Sequence, residues 1–164
     1  MNPILTKIEQ ATLAKVNPPP LQKAVVKMVD MGKHILYSPE SRKLVMSQLN
    51  APGELTHKIG EGVAKLLGMI IHASQGTLPP KVGVPAASIL LCEVLDMVEK
   101  SGKAQITNDF VAKCMNEMGS SVMQLYGATP EKVQAMFSKA QAQGKLPKGA
   151  QQPSLVQSAQ GVPA

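Results

Sequence analysis

Few residues in this chain have the type and spacing to do chemistry. Glu93, Asp96 and Glu99 follow one another at intervals of three within PAASILLCEVLDMVEK, residues 85–100. Two carboxylates held at different pKa values could serve as general acid and general base. On a helix, however, a spacing of three or four, continued here by Lys100, predicts a solvated stripe on an otherwise apolar rod. His57 and Glu61 stand one helical turn apart, yet one imidazole and one carboxylate do not make a metal site. His34 and His72 adjoin apolar runs and are expected as partly buried core or capping residues. Cys92 and Cys114 lack metal-type spacing and sit among apolar neighbours, which predicts buried free thiols. No phosphate-binding glycine loop, GxSxG, HExxH or EF-hand pattern occurs. No catalytic, cofactor-binding or metal-binding residue is assigned, and no cofactor is expected. The chemistry points away from an enzyme.

The stretch GEGVAKLLGMII, residues 60–71, reads as helix although it carries three glycines. Glycine inside a helix costs about 1 kcal/mol relative to alanine, so each needs a reason. Gly60, Ala64 and Gly68 recur every fourth residue, a stripe that lets two helix backbones approach closely. In a membrane that pattern suggests dimerisation, but Glu61 and Lys65 interrupt it and the apolar run is short. The expected role is close helix packing, in the same chain or against another copy.

The elements that must position these residues are helices. Hydrophobic residues make up 44% and aromatics 2%, so the core is built from aliphatic side chains and from methionine, which fills irregular gaps. Val and Ile do not alternate with polar residues, which argues against sheet. Asn2-Pro3, Ser38-Pro39 and Thr107 are helix starts, while Asn17-Pro18-Pro19-Pro20, Asn50-Ala51-Pro52-Gly53, Ser101-Gly102 and Gly127 are breaks. Gln75 to Pro80 predicts an extended connector. The expectation is an all-α, compact bundle of about six or seven helices over 1–144, the last of them at 129–144. Residues 145–164, rich in Gln, Pro and Gly, read as a flexible tail. The 85–100 helix should be central, burying Ile89, Leu90, Leu91, Val94, Leu95 and Val98.

Net charge is +6, with five lysines against two acids in residues 1–37 and four against one in 128–164. Basic ends around a near-neutral middle allow loose, non-specific DNA contact. Sequence-specific reading is not expected: DFVAKCMNEMGSSVMQLYG would need a basic or amide-rich second helix, and SSVMQLYG offers only Gln124. No secretory leader pattern opens the chain, and no apolar run nears the roughly 20 residues of a bilayer-spanning helix. Met115, Met118, Val122 and Met123, with Met136 and Phe137, form a candidate face for self-association into a homo-oligomer.

Two stretches, HILYSPESRKLVMSQL and TLPPKVGVPAASILLCEVLDMVEKSG, carry a resemblance. The order of helix, Ser-Pro start, second helix, Pro-Pro connector and Ala-rich apolar helix resembles small virion proteins of tailed bacteriophages, of the internal or ejection type. It covers about residues 34–102. The resemblance implies a helical, non-enzymatic, multi-copy virion protein near the portal or packaged genome, partnered by portal or tail proteins and made in the host cytoplasm. A cytoplasmic adaptor or DNA-associated accessory protein is the alternative. No functional residue follows from the likeness.

Overall fold

The computed structural model describes residues 1–127 together with Glu131 and Ala135. Among the described residues six α-helices run α1 (Pro3–Ala14), α2 (Pro19–Leu36), α3 (Pro39–Asn50), α4 (Leu55–Ser74), α5 (Gly83–Lys100) and α6 (Asn108–Leu125), with a 3-10 turn at Pro80–Val82 before α5. No strand occurs among the described residues, and the architecture is all-α. The helix expected at 129–144 and the tail at 145–164 lie outside the described residues, apart from Glu131 and Ala135.

Local chemistry sets the boundaries. The Asn2 side chain accepts from the Ile4 amide at 3.0 Å, Ser38 from Ser41 at 3.3 Å and Thr107 from Phe110 at 3.2 Å. Each satisfies a first-turn amide that has no intrahelical partner. Proline opens α1, α2 and α3, where its missing N–H costs nothing. Gly102 and Gly127 take φ of 70° and 71° just past α5 and α6, a left-handed cap conformation that glycine adopts without strain. The Pro79-Pro80 connector is extended at Pro79 but then turns, so α5 begins at Gly83, earlier than the expected Pro85. Pro85 is tolerated there because it still lies in the first turn.

Around α5 the other helices assemble: it packs against α1, α2, α4 and α6. Twelve of its 18 residues are buried, including all six expected core positions. The expected solvent stripe on α5 is corrected by the structure: Glu93 and Asp96 are each only 6% exposed. The periodicity correctly put both on one face, but α1 and α2 close over that face.

The opening stripe of α4 faces α6. A Cβ built on Gly60 would lie 2.5 Å from the Met118 amide nitrogen, and one on Gly68 would lie 3.2 Å from Leu125 Cδ1. The two contacts advance in the same direction along both helices, so α4 and α6 run parallel. Ala64, between them, is 5% exposed. The helix α6 is continuous through Gly119, which leaves no turn for a helix-turn-helix.

Candidate functional site

The densest group of ionisable side chains sits where α1, α2 and α5 meet. Lys33 on α2 places Nζ 2.5 Å from Glu93 Oε1, and one turn later the Tyr37 hydroxyl donates to Glu93 Oε2 at 2.9 Å. Both oxygens of the buried carboxylate are therefore engaged. Asp96, one turn along α5, takes Lys100 Nζ at 2.7 Å and lies 3.8 Å from the amino group of Met1. Asn2 Nδ2 donates to Glu99 Oε1 at 2.8 Å, pinning the start of α1 to the same helix.

Glu9 completes the group from α1. Its Oε1 is buried with no hydrogen-bond partner among the described residues. Burial, reinforced by the negative charge of Glu93, raises its pKa above the ordinary carboxylate value. The hydrogen bond to Glu93 raises that of Lys33, and burial together with the same carboxylate pushes Tyr37 up to about 12. A cluster of shifted groups is a candidate for catalysis. Three surface cavities among the described residues are lined by none of Glu9, Glu93 and Asp96. Glu93 is answered from α2, Asp96 by Lys100 of its own helix and by the amino group of Met1, and Glu99 by Asn2, so the group ties the start of α1 and the end of α2 to α5. The arrangement is a polar clamp across α1, α2 and α5.

The other chemical candidates are separated. His57 turns away from Glu61 and pairs with Glu117 on α6, Nδ1 to Oε2 at 2.8 Å, while Glu61 takes Lys65 at 2.8 Å. His34 and His72, expected as partly buried, are exposed, because each falls on the outer face of its helix. Cys92 and Cys114 are free and buried. Desolvation pushes both thiols up to about 12, so neither offers a thiolate near neutral pH. Among the described residues no group of three His, Cys, Asp or Glu is placed to hold a metal, and no helix is long and apolar enough to cross a membrane.

Of the expected self-association face, Met118 and Val122 are 4% and 3% exposed. The close α4–α6 approach takes them into the chain's own core, so they are not open to a partner. Met115 and Met123 are half-buried, and Met136 and Phe137 lie outside the described residues. Sequence reasoning missed Lys33 in the last turn of α2 and Tyr37 just past its end. The signal available was that α5 is apolar on every other side: a helix that central must have its charges answered by neighbours. No family model matches the sequence, and no curated protein or solved structure matches it either.

Proposed function

We propose that the chain is a non-enzymatic structural protein of a tailed-phage particle, multi-copy, of the internal or ejection type near the portal or packaged genome. One observation carries the non-enzymatic part: Glu93 and the two cysteines are engaged or shielded inside the fold. Both oxygens of Glu93 are taken up, and both thiols stay protonated. The particle assignment rests on the pattern that residues 34–102 share with such virion proteins. Self-association is supported by Leu125 and Tyr126, 44% and 47% exposed at the end of α6 beside half-buried Met123. Exposed apolar surface of this kind marks contacts, and identical copies related by rotation are the commonest partners. Portal or tail proteins are the other partners proposed.

The test is mass spectrometry of purified particles with copy number, accompanied by mass measurement of the isolated chain. Many copies per particle supports the reading; absence from particles overturns it. The DNA-associated alternative has its own support in Lys7, Lys15, Lys23 and Lys27, all exposed on α1 and α2 and on the segment joining them. It requires duplex binding that weakens steeply between 50 and 200 mM salt and shows no sequence preference.

A further inference from the structure

A cavity of about 170 Å³ lies mainly between α3 and α4, with the end of α2 and Val94 of α5 completing its wall. Its floor is formed by Leu49, Ile59, Val63, Leu66 and Val94, all buried. Its mouth is the outer stripe of α4, where Lys58, Gly62, Lys65 and Met69 follow one another at helical spacing. Two cations line it and no carboxylate does.

We propose that this cavity is a binding site for a short aliphatic chain that ends in an anionic group, a medium-chain carboxylate being the simplest example. Volume sets the chain. An apolar cavity of about 150 Å³ stays dry and accepts a benzene ring, so this one seats about six carbons. That is far less than a membrane lipid's acyl chain, and the occupant is a free monoanion rather than a bilayer surface.

Gly62 keeps the entrance open. A Cβ there would meet nothing within 4 Å, whereas Gly60, two residues earlier, is jammed against α6. Packing therefore explains the glycine at 60 and not the one at 62. The cover is a weakly seated helix: Leu49 is the one buried residue of α3, and Leu44, which lines the cavity, is 61% exposed.

Charge selects the head group. Lys58 donates to the Leu49 and Ala51 carbonyls, tying the end of α3 to α4 while keeping its charge at the mouth. Among the described residues Lys65 pairs with Glu61, at 2.8 Å and largely in solvent, and such exposed pairs are weak enough for an incoming anion to compete.

The experiment is calorimetric or NMR titration of the full chain with butanoate, hexanoate, octanoate and decanoate, and with octanol and octylamine. Saturable one-to-one binding of octanoate is expected, affinity rising about fourfold per methylene and levelling once the cavity is full. Octanoate should bind more tightly than octanol, and octylamine most weakly. Gly62→Leu fills the entrance and should abolish binding in a protein whose circular dichroism is unchanged. Lys65→Glu, on an exposed side chain, keeps the fold in any case. It should weaken octanoate by about thirtyfold, one unit attraction being lost and one unit repulsion gained at 4 Å in water-like dielectric, and leave octanol unchanged. Absence of saturable binding, equal affinity for all chain lengths, or full affinity in folded Gly62→Leu overturns the site. Unchanged octanoate binding in Lys65→Glu overturns the anionic head group.

Discussion

Replacing Gly60 and Gly62 by alanine should move stability in opposite directions, although the two lie on one helix two residues apart. At Gly60 the added Cβ would sit 2.5 Å from the Met118 nitrogen and 2.7 Å from both the carbonyl carbon and Cβ of Glu117. Carbon atoms pack at about 3.5–4.0 Å, so α6 must retreat by about 1 Å. A gap of that size forfeits a quarter to a half of each dispersion contact along the seam. Overpacking costs about 1–3 kcal/mol, and here the obstacle is backbone, which cannot rotate aside. Against it stands a gain of about 1 kcal/mol from removing a helix-interior glycine. A backbone obstacle puts the cost at the upper end of that range, so the net expectation for Gly60→Ala is a loss of about 2 kcal/mol. At Gly62 the new methyl meets open space, so only the propensity gain remains, about 0.5–1 kcal/mol of stabilisation. Urea denaturation followed by circular dichroism measures both, with m expected unchanged. A Gly60→Ala variant as stable as the parent, or both variants shifting with the same sign, would refute the steric argument.

Glu9→Gln should stabilise the protein at pH 7, because the raised pKa means that the fold resists ionising Glu9. That advantage should vanish as the pH falls below 4.5, where the unfolded chain also holds the proton; chemical denaturation across pH checks it. Tyr37→Phe removes a hydrogen bond to a buried carboxylate and should cost about 1 kcal/mol at pH 8. Since Tyr37 titrates near 12 rather than 10, its contribution is present below pH 10 and lost as pH rises through 12, so parent and variant should converge over that interval in alkaline denaturation curves. Leu95→Ala, at a side chain with no exposure in the most buried helix, should cost about 2–5 kcal/mol by the same assay.

Helix positions were legible because their signals are local. A capping side chain followed by proline, as at Asn2-Pro3 and Ser38-Pro39, acts within four residues of itself. The apolar excess of α5 marked it as central for the same reason. The surroundings of Glu93 and Asp96 were not legible, since burial of that face depends on Lys33, some 60 residues upstream in sequence, and on the angle at which α2 crosses. Periodicity tells which residues share a face but not what the face meets. Met118 and Val122 looked surplus to one small core for a related reason. The gap left by Gly60 lets the α6 backbone at Glu117 and Met118 come in close, and its depth is fixed by a crossing no local pattern encodes. Gly62 shows the converse limit: by spelling alone it is a helix glycine like Gly60, and only the neighbouring space separates them.

The nature of the obstacle at each glycine also decides how this chain can drift over evolution. At Gly32 and Gly68 the atoms in the way belong to side chains, foremost those of Leu90 (with Ile70 beside it) and Leu125. A larger residue can enter there if the facing leucine shrinks, so those pairs are free to exchange volume and should change together in diverged descendants. At Gly60 the obstacle is the main chain of residues 117 and 118, which every substitution leaves in place. No compensating partner exists, and position 60 should stay invariant while its surroundings turn over. Distant kin of this chain should therefore be recognisable by a solitary fixed glycine in the second turn of a long, otherwise changeable helix.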